Sequence, residues 1–429
     1  MEQRNDDLLT AVLSRDNLLQ AWARVKSNRG APGIDGLTIG EFPDYLREHW
    51  ADTREQLVGG RYKPQPVRRV EIPKPDGGIR LLGIPTVMDR VIQQAIAQVL
   101  TPIFEPQFSD SSYGFRPGRN AHQAIWRVRS HVKDGYRYAV DIDLAKFFDT
   151  VNHDVLMNIL GRSVRDKPLL GLIGRYLRAG VLVGGHIEPS DVGTPQGGPL
   201  SPLLANILLN QLDHELHKRG HRFVRYADDM VILVKSQKAG ERVIPHRAQV
   251  QSVTRYLENT LKLKVNTAKS KVDLMSKCSF LGFTIIGGKI RWTDKSLAKF
   301  KRRVKELTGR SWGVSMKYRL YKLGQFLRGW VGYFGISQYY RPIPELDEWL
   351  RRRIRMCYWK QWRWPRTKVR NLRALGINLK AAIQHAVSSK SYWRMARTPA
   401  VQMALNNKWL KGQGLLSIKD LWCKAQGYA

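Results

Sequence analysis

The amino-acid sequence predicts an α+β protein in which β-hairpins lie in the first two thirds and helices fill the last third. Apolar, β-prone runs flank short turns at residues 67–82 and 223–234, a pattern typical of hairpins. From Thr293 onwards, apolar residues such as Leu297 and Phe300 recur with helical spacing instead. At 429 residues, the chain is long enough for two or three domains.

The charge of the chain is strongly positive and unevenly placed. The formal net charge is +36, from 72 Lys and Arg against 36 Asp and Glu. Residues 291–429 hold 31 of the basic residues, 6 of the acidic ones and ten of the thirteen tryptophans. Cations contact phosphates and aromatic rings stack on bases, so this composition predicts a nucleic-acid partner.

Cysteine usage and the N-terminus indicate a protein of a reducing compartment. The three cysteines are far apart and form no CxxC, so neither a disulfide framework nor a zinc knuckle is indicated. The N-terminus has no signal-peptide core, and no apolar run approaches the roughly 18 residues of a membrane span. We therefore expect a cytoplasmic protein that does not contact a membrane.

The N-terminal region is predicted to be helical from about Leu8 to Tyr62 with one interruption. Residues 30–36 contain three glycines and one proline, which rule out a continuous helix. Such a loop is able to approach another backbone closely, although a simple connector is an equally good interpretation.

Residues 67–82 form the first predicted hairpin, with Pro-Asp-Gly-Gly as its turn. This turn brings Lys74 and Arg80 near each other across the hairpin. Two cations on a mobile hairpin can close over a triphosphate. The alternative is that both charges belong to a solvated edge.

Several further elements follow from local patterns. Residues 89–100 read as a buried helix, and residues 112–119 as a loop whose arginines are candidate nucleic-acid backbone contacts. The Pro- and Gly-rich run 193–202 leads into a helix at 203–209 and is able to lie flat against a ligand. Further predictions are a basic loop at 265–272, a strand and turn at 279–285, helices at 316–334 and 345–362, and a link at 365–376.

Two adjacent carboxylates, Asp228 and Asp229, stand at the tip of the second predicted hairpin, where Ala227-Asp228 makes the turn. Like charges side by side repel each other, so a buried acidic pair needs a cation. Hard carboxylate ligands without nearby His or Cys favour Mg2+ or Mn2+ over zinc. The alternative is a simple polar turn, because Asp is a common turn residue.

A second acidic site is predicted on the strand at residues 138–144. Alternation places Asp141 and Asp143 on one face and apolar residues on the other. One of these acids is expected to meet the Asp228 hairpin, and periodicity does not decide which. Asp149 is predicted to cap a helix that begins near Val151.

Four segments in this order resemble the reverse transcriptases of group II introns, the intron-encoded maturases of bacteria. They are Ile72–Gly78, Ser112–Pro117, Gly193–Pro202 and Arg225–Asp229. The resemblance covers nearly the whole chain and makes the polar-turn interpretation of Asp228-Asp229 improbable. It implies a right-hand polymerase fold, with fingers and an antiparallel palm sheet followed by an α-helical thumb.

The same resemblance implies four regions along the chain. They are an N-terminal extension at 1–65, the fingers and palm at 66–288, the thumb or maturase domain X at 289–375, and a basic DNA-binding tail domain at 376–429. Many relatives carry a further nuclease domain with paired His and Cys ligands. The sequence shows no such ligands, and we expect no cleavage of a second DNA strand by this chain.

The resemblance also assigns the catalytic residues. It selects Asp143 over Asp141, because the family's acid precedes an aromatic pair by four and five positions. Asp143, Asp228 and Asp229, with the backbone carbonyl of Leu144, would hold two Mg2+ ions, with Mn2+ as an alternative. Asp228 is expected to be indispensable and Asp229 to be a supporting ligand.

The remaining site residues implied by the resemblance contact the nucleotide or the nucleic acid. For the incoming dNTP they are Lys74, Arg80, Phe148, Gln196 and Lys269, with the Phe148 ring excluding a 2′-hydroxyl. For the primer and template they are Gly33, Arg116, Pro195, Gly197 and the primer grip Phe280, Leu281 and Gly282. The thumb arginines Arg351, Arg352, Arg353 and Arg355 are candidate contacts to RNA.

The resulting prediction is an RNA-directed DNA polymerase that copies intron RNA from a DNA primer and assists splicing and mobility. Its expected partners are the group II intron RNA, an RNA template with a DNA primer, target DNA and dNTPs. Alternatives are a splicing factor or RNA chaperone with a vestigial polymerase site, an RNA polymerase with the same palm, and a relative adopted for host DNA repair. The sequence does not indicate an oligomeric state.

Overall fold

The computed structural model describes residues 7–73, 78–183, 186–188, 193, 197–243, 253–266 and 269–428. The chain divides into two compact units, Met1–Leu274 and Met275–Ala429. Each unit buries its own hydrophobic core. None of the helices in these described stretches has the length and apolar character that crossing a membrane requires.

The first unit combines helices with two small β-sheets. In chain order its elements are α1 (Leu8–Val12), α2 (Arg15–Asn28), α3 (Phe42–Val58), β1 (Val67–Pro73), β2 (Ile79–Ile84), α4 (Val87–Phe104), a 3-10 turn (Glu105–Gln107), α5 (Ala121–Lys133), β3 (Tyr138–Ile142), α6 (Phe147–Thr150), α7 (His153–Ser163), α8 (Lys167–Leu177), β4 (Val181–Val183), β5 (His186–Glu188), α9 (Ser201–Lys218), β6 (Arg222–Tyr226), β7 (Asp229–Val234), α10 (Gln237–Val243), α11 (Val253–Asn259) and β8 (Lys271–Leu274).

The predicted interruption of the N-terminal helices at residues 30–36 is confirmed, and it is more than a connector. A second break, which was not predicted, separates α1 from α2 at residues 13–14. The loop lies between α2 and α3, and its Gly33 is buried. A Cβ at Gly33 would come within 2.7 Å of the Thr86 Cα. Arg90 Nη2 also donates to the Ala31 carbonyl oxygen at 2.8 Å. The loop is therefore fixed against the start of α4, by a close approach that glycine permits.

The first predicted hairpin is confirmed as β1 and β2, which pair antiparallel with Ile72 opposite Arg80. The sheet continues on the other side of β1, where β4 pairs parallel, and the strand order is β2-β1-β4-β5. Lys74 and the turn residues up to 77 lie outside the part of the chain that the structure describes, and so does the Arg80 side chain.

The second sheet is antiparallel throughout and has the strand order β6-β7-β3-β8. Met230 and Ile232 of β7, with Val140 and Ile142 of β3, face the main core. Alternation therefore places Asp141 on the opposite face of β3, as the sequence predicts. This is the antiparallel sheet expected of a polymerase palm.

The helices predicted at 89–100 and 203–209 are confirmed as α4 and α9, and both are longer than predicted. Helix α4 begins after Thr86, whose side chain accepts a hydrogen bond from the Asp89 N–H as an N-cap. Helix α9 continues well past the predicted end at Leu209, to Lys218, and is buried on most of its circumference. Its first turn contains Pro202, where a missing N–H leaves no hydrogen bond unmade.

The predicted cap of the next helix is wrong. Helix α7 begins after Asn152, whose side-chain oxygen accepts from the Val155 N–H at 2.9 Å. Asp149 instead lies inside the short helix α6 and is exposed. Asn and Asp are both good N-caps, and the extended backbone at position 152 decides between them.

The second unit is mainly helical. Its elements are β9 (Phe283–Ile286), β10 (Lys289–Trp292), α12 (Asp294–Leu307), α13 (Met316–Phe334), α14 (Pro342–Gln361), α15 (Pro365–Ala374), α16 (Leu379–Ala386), α17 (Tyr392–Met395), α18 (Pro399–Ala404), α19 (Asn407–Gly412) and α20 (Ile418–Ala425). The predicted boundaries of α13 match at both ends, and those of α14 differ by one to three residues.

The basic helix α12 has the predicted division into two faces. Phe300, Val304 and Leu307 are buried in the second core, whereas its lysines and arginines are exposed. The predicted link at 365–376 is wrong, because most of it forms α15 and Leu372 is fully buried in the same core. Proline at the first helical position favours a helix start rather than a linker.

Candidate polymerase active site

The acidic hairpin has the predicted geometry. Tyr226 of β6 pairs with Asp229 of β7, so Ala227 and Asp228 make a two-residue turn. Ala227 has φ 58°, in the left-handed region that a residue with a Cβ rarely adopts. Both acids are exposed at the tip, while Met230 behind them is buried.

Asp143 lies beside this tip. The last pair between β3 and β7 joins Ile142 to Met230, so Asp143 and Asp229 are the next residues on their strands. Asp141 pairs one step further into the sheet, opposite Val231. Three carboxylates thus lie at one end of the palm sheet, on adjacent strands.

The environment of Asp141 differs from that of the tip. Burial raises the pKa of the Asp141 carboxyl, Lys271 opposes this shift, and the charge of Asp143 adds to it. Lys271 is its pairing partner on β8. Asp141 is therefore a half-buried acid paired with a lysine inside the sheet, and Asp143 is the acid at its end.

The backbone at the end of β3 is held by Asn266 and Ser270. The Asp143 carbonyl oxygen accepts from the Asn266 N–H at 2.8 Å, and the Asp143 N–H donates to Ser270 Oγ at 3.2 Å. Leu144 forms an isolated antiparallel bridge with Val265, and the hydrogen bonds of this bridge are made by its neighbours Asp143 and Ala145. Lys269 is exposed and directly precedes Ser270.

Phe148 lies on α6, five positions after Asp143. Its ring packs edge-on against the buried Phe147, with centroids 5.1 Å apart. A Cβ at Gly193 would lie 2.9 Å from the Phe148 carbonyl oxygen, and the Gly193 N–H donates to Val151 at 2.7 Å. His153 contacts the Gly193 carbonyl oxygen from the other side, at 2.6 Å. The start of the Pro-Gln-Gly loop is thereby docked on the Phe148 segment.

The far end of that loop is docked on the first sheet. Gly197 has φ 125°, and its Cβ position would overlap the Gly83 carbonyl oxygen of β2 at 2.5 Å. A Cβ at the neighbouring Gly198 would collide with the Gln93 side chain. Pro195 and Gln196 lie outside the residues that the structure describes.

The prediction that Arg116 contacts the nucleic acid does not fit its environment. Its guanidinium bonds to Glu105 through Nε and Nη2 and to the Ser109 and Ser112 carbonyl oxygens through Nη1. The side chain is 3% exposed. These partners occupy the donors of the guanidinium, so Arg116 instead fixes the loop after the 3-10 turn.

Residues 280–282, which are predicted to be the primer grip, form a tight corner in the second unit. Phe280 is buried and exchanges backbone hydrogen bonds with Phe283 at 2.9 Å. Leu281 has φ 51° and Gly282 has φ 81°. The Leu281 carbonyl oxygen accepts from the Tyr333 hydroxyl at 3.0 Å, so helix α13 fixes this corner.

The thumb arginines are internal contacts rather than free cations. Arg351 pairs with Asp347, and Arg352 lies 3.9 Å from the Trp393 ring centroid. Arg353 donates to the Thr308 hydroxyl and carbonyl oxygens. Arg355 is 7% exposed and donates to the Leu405 carbonyl oxygen at 2.9 Å. Arg352, Arg353 and Arg355 thus join α14 to neighbouring segments of its own unit, and Arg351 pairs within the helix. Their contact with RNA stays a prediction.

The carboxylates of the palm have the donor chemistry of a Mg2+ site. Across the described stretches, no three His, Cys, Asp or Glu side chains are grouped tightly enough to form a ready-made metal cage. Mg2+ is usually held by one or two carboxylates together with substrate phosphates and water. Asp143, Asp228 and Asp229 therefore fit an ion that arrives with its nucleotide.

Three buried polar residues behind the turn were not predicted as functional. Arg225 precedes the turn, and Asn206 and Asp213 lie on α9; all three are at most 1% exposed. The two α9 residues are seven positions apart, hence on one face of a largely apolar helix. Two polar residues on one face of an apolar helix are the feature of the sequence from which this cluster could have been predicted.

The chain matches known proteins over both units. Residues 72–285 match the family described as "Reverse transcriptase (RNA-dependent DNA polymerase)", and residues 297–376 match "Group II intron, maturase-specific domain". The fold and site thus define an RNA-directed DNA polymerase. Since the two matched domains follow one another, the chain belongs to the group II intron reverse transcriptase/maturase family.

Several individual proteins are similar to this chain. "Protein YkfC" of Escherichia coli is 32% identical over 365 residues, which cover 75% of this chain and 94% of that protein. "Group II intron-encoded protein LtrA" of Lactococcus lactis is 33% identical over 264 residues, 61% of this chain. The match spans 42% of the LtrA length. A chain of a solved "Partial Cas6-RT-Cas1--Cas2 complex" is 26% identical over 55% of this chain and 40% of that chain, with a TM-score of 0.37.

Proposed function

We propose that this protein extends a DNA primer along an RNA template, using Asp143, Asp228 and Asp229 with the Leu144 carbonyl as the ligands of two Mg2+ ions. The observation that carries this proposal is the meeting of the three carboxylates at one end of the palm sheet. When bound, the two ions would stabilise the attacking and leaving oxygens of an in-line displacement at phosphorus. These ligands would come from two neighbouring backbone segments, the end of β3 and the β6–β7 hairpin.

The nucleotide would lie between the acids and the fingers. Lys74 and Arg80 of the first hairpin and Lys269 would contact its triphosphate. Gln196 would lie near the templating base pair, and Phe148 below the sugar. Support comes from the docking of the Pro-Gln-Gly loop, whose two ends meet the Phe148 segment and β2.

Each unit offers its own candidate contacts to the primer or the template. Candidate contacts are the Gly33 loop, Pro195, Gly197 and the corner at residues 280–282. Because Gly33 itself is buried, the exposed residues beside it, Ala31, Asp35 and Gly36, would face the template. Helix α13 also presents the exposed Gly329 and Gly332, where a Cβ would meet nothing within 4 Å. The packing of α13 within its unit therefore does not require glycine at these two positions. Glycine would instead allow a nucleic-acid backbone to approach the helix closely.

Intron RNA and target DNA would bind the basic second unit, so that the protein assists splicing and mobility. The exposed lysines and arginines of α12 support this part. They are stronger candidates than the α14 arginines, because their charges face solvent. The proposed regions remain 1–65, 66–288, 289–375 and 376–429, with the last two sharing one hydrophobic core.

Primer extension tests the polymerase. A DNA primer annealed to an RNA template, with dNTPs and Mg2+, is expected to be extended to the template end, and chelation of the metal is expected to stop extension. The same template without a primer is the control for initiation. Tight RNA binding without any extension would instead make this an RNA-binding splicing factor.

The α12 surface provides a second test. Replacing Lys301, Arg302 and Lys305 by Gln should flatten the dependence of log K on log salt by about 2, since each phosphate contact to a single strand contributes about 0.7. The matched control exchanges Lys for Arg and Arg for Lys at these positions, which keeps the charge. An unchanged slope in the Gln variant would place this face outside the RNA interface.

A further inference from the structure

The catalytic turn is backed by a buried ionic cluster that the polymerase reaction itself does not use. Arg225 immediately precedes the turn and is 1% exposed. Its Nε donates to both Asp213 oxygens at 2.8 and 3.1 Å, and its Nη2 donates to Asp213 Oδ2 at 2.6 Å. Asp213 is itself 0% exposed. The pair is therefore bidentate and fully removed from water.

The remaining arm of the guanidinium reaches the turn. Arg225 Nη1 donates to the carbonyl oxygen of Ala227 at 3.0 Å and to Asn206 Oδ1 at 2.9 Å. Ala227 is the residue with φ 58°, a conformation that is unfavourable for any residue with a Cβ. A charge-assisted hydrogen bond to this carbonyl fixes the peptide that joins Ala227 to Asp228.

The other side of the turn is supported by residues 111–114. Arg225 exchanges backbone hydrogen bonds of 2.9 Å with Ser111 and Tyr113. A Cβ at Gly114 would overlap the Ala227 nitrogen and lie 2.9 Å from the Tyr226 carbonyl carbon. Asn206 Nδ2 donates to the Gly114 carbonyl oxygen at 2.8 Å, which ties this support to α9.

Stability alone does not account for a buried ion pair of this kind. The desolvation of two charges offsets most of their attraction, and well-packed apolar residues of similar volume are often as stable. An apolar pair, however, is unable to donate a hydrogen bond to Ala227. What distinguishes the cluster from an apolar one is the hydrogen bond from Arg225 to the Ala227 carbonyl oxygen.

We infer that Arg225, Asp213 and Asn206 are positioning residues that hold Asp228 in its catalytic orientation from behind. Helix α9 supplies the fixed frame, because it begins at the Pro-Gln-Gly loop and carries both Asn206 and Asp213. This inference rests on the proposed polymerase function and deepens it. A displacement of about 1 Å at a reacting group is enough to lower a rate about 100-fold.

The decisive variant is the double replacement Arg225→Met with Asp213→Leu, which removes the cluster without leaving a buried charge. We expect a folded protein whose kcat for primer extension falls about 100-fold. The KM for the primer–template should change little, and the Mg2+ concentration for half-maximal rate should rise. Arg219→Met, at the residue that directly follows the same helix, is the control, because its pair with Glu215 lies at the end of α9 away from Asn206.

A rescue separates positioning from packing. Adding Ala227→Gly to the double variant relieves the strain at the positive φ, so kcat should recover about threefold while the melting temperature stays unchanged. If the double variant does not fold, the single variant Asn206→Asp provides the test of positioning. It keeps an oxygen that accepts from Arg225 but loses the amide group that donates to the Gly114 carbonyl oxygen. We expect its kcat to be about tenfold lower than that of the wild type.

Two results would overturn the inference. One is a folded double variant with the wild-type kcat and Mg2+ dependence, and the other is an Asn206→Asp variant with undiminished kcat. In both cases the wild-type protein must extend primers in the same assay. A wild type that fails to extend would refute the polymerase function instead.

Discussion

Replacing Asp228 by Asn is expected to lower the rate of primer extension at least about 1000-fold, a loss typical for an essential catalytic group. The two side chains have the same shape and the same preference for turns, so only the charge is removed. Asp228 is exposed at the hairpin tip, and the fold makes little use of it. The melting temperature should therefore remain unchanged or rise slightly, because the repulsion with Asp229 is relieved.

Single-turnover extension and thermal unfolding measure the two effects separately. Asp149→Asn is the matched control, since Asp149 is an exposed acid on α6 beside the same site; it should retain wild-type extension. Asp229→Asn should lose about 10- to 100-fold, as expected of a supporting ligand. An Asp228→Asn protein with more than about a tenth of the wild-type rate would remove this residue from the catalytic set.

The sequence identifies the acids because the rules that place them are local. Alternation puts Asp141 and Asp143 on one face of a strand, and the Ala227-Asp228 turn follows from the apolar runs on both sides. Choosing Asp143 needed a family resemblance, because alternation gives both acids the same face. Strand pairing explains the difference: Asp141 lies inside the sheet opposite Lys271, and Asp143 lies just beyond its last pair.

The sequence misjudged the arginines because charge is visible in it and burial is not. Arg116 and Arg355 look like phosphate contacts, yet both are buried and bonded to their own chain. Arg225 lies inside one of the four motifs, and the sequence gives no sign that its guanidinium contacts the turn. Each of these contacts depends on how the chain folds back on itself, so only the tertiary structure shows it.

Replacing Phe148 by Ala is expected to raise ribonucleotide incorporation, with the dNTP-over-rNTP ratio of kcat/KM falling about 100-fold. The Phe148 ring is half-buried, and its position is fixed from two sides by Phe147 and by the backbone contact with Gly193. In the proposed complex this ring would lie below the sugar of the nucleotide, where it would leave no room for a 2′-hydroxyl. Removing it opens that space while the three carboxylates stay in place.

Competition between a deoxyribonucleotide and its ribonucleotide at one template position measures the ratio directly. Phe148→Tyr is the matched control, because it keeps the ring and should keep the discrimination. Phe147→Leu tests whether packing alone changes selectivity: Phe147 is 2% exposed, so this variant should melt earlier and still discriminate. If the ratio is unchanged in a folded Phe148→Ala protein, the Phe148 ring is not the steric cause of the preference for DNA. If the ratio falls equally in Phe147→Leu, the preference depends on the packing of α6 instead.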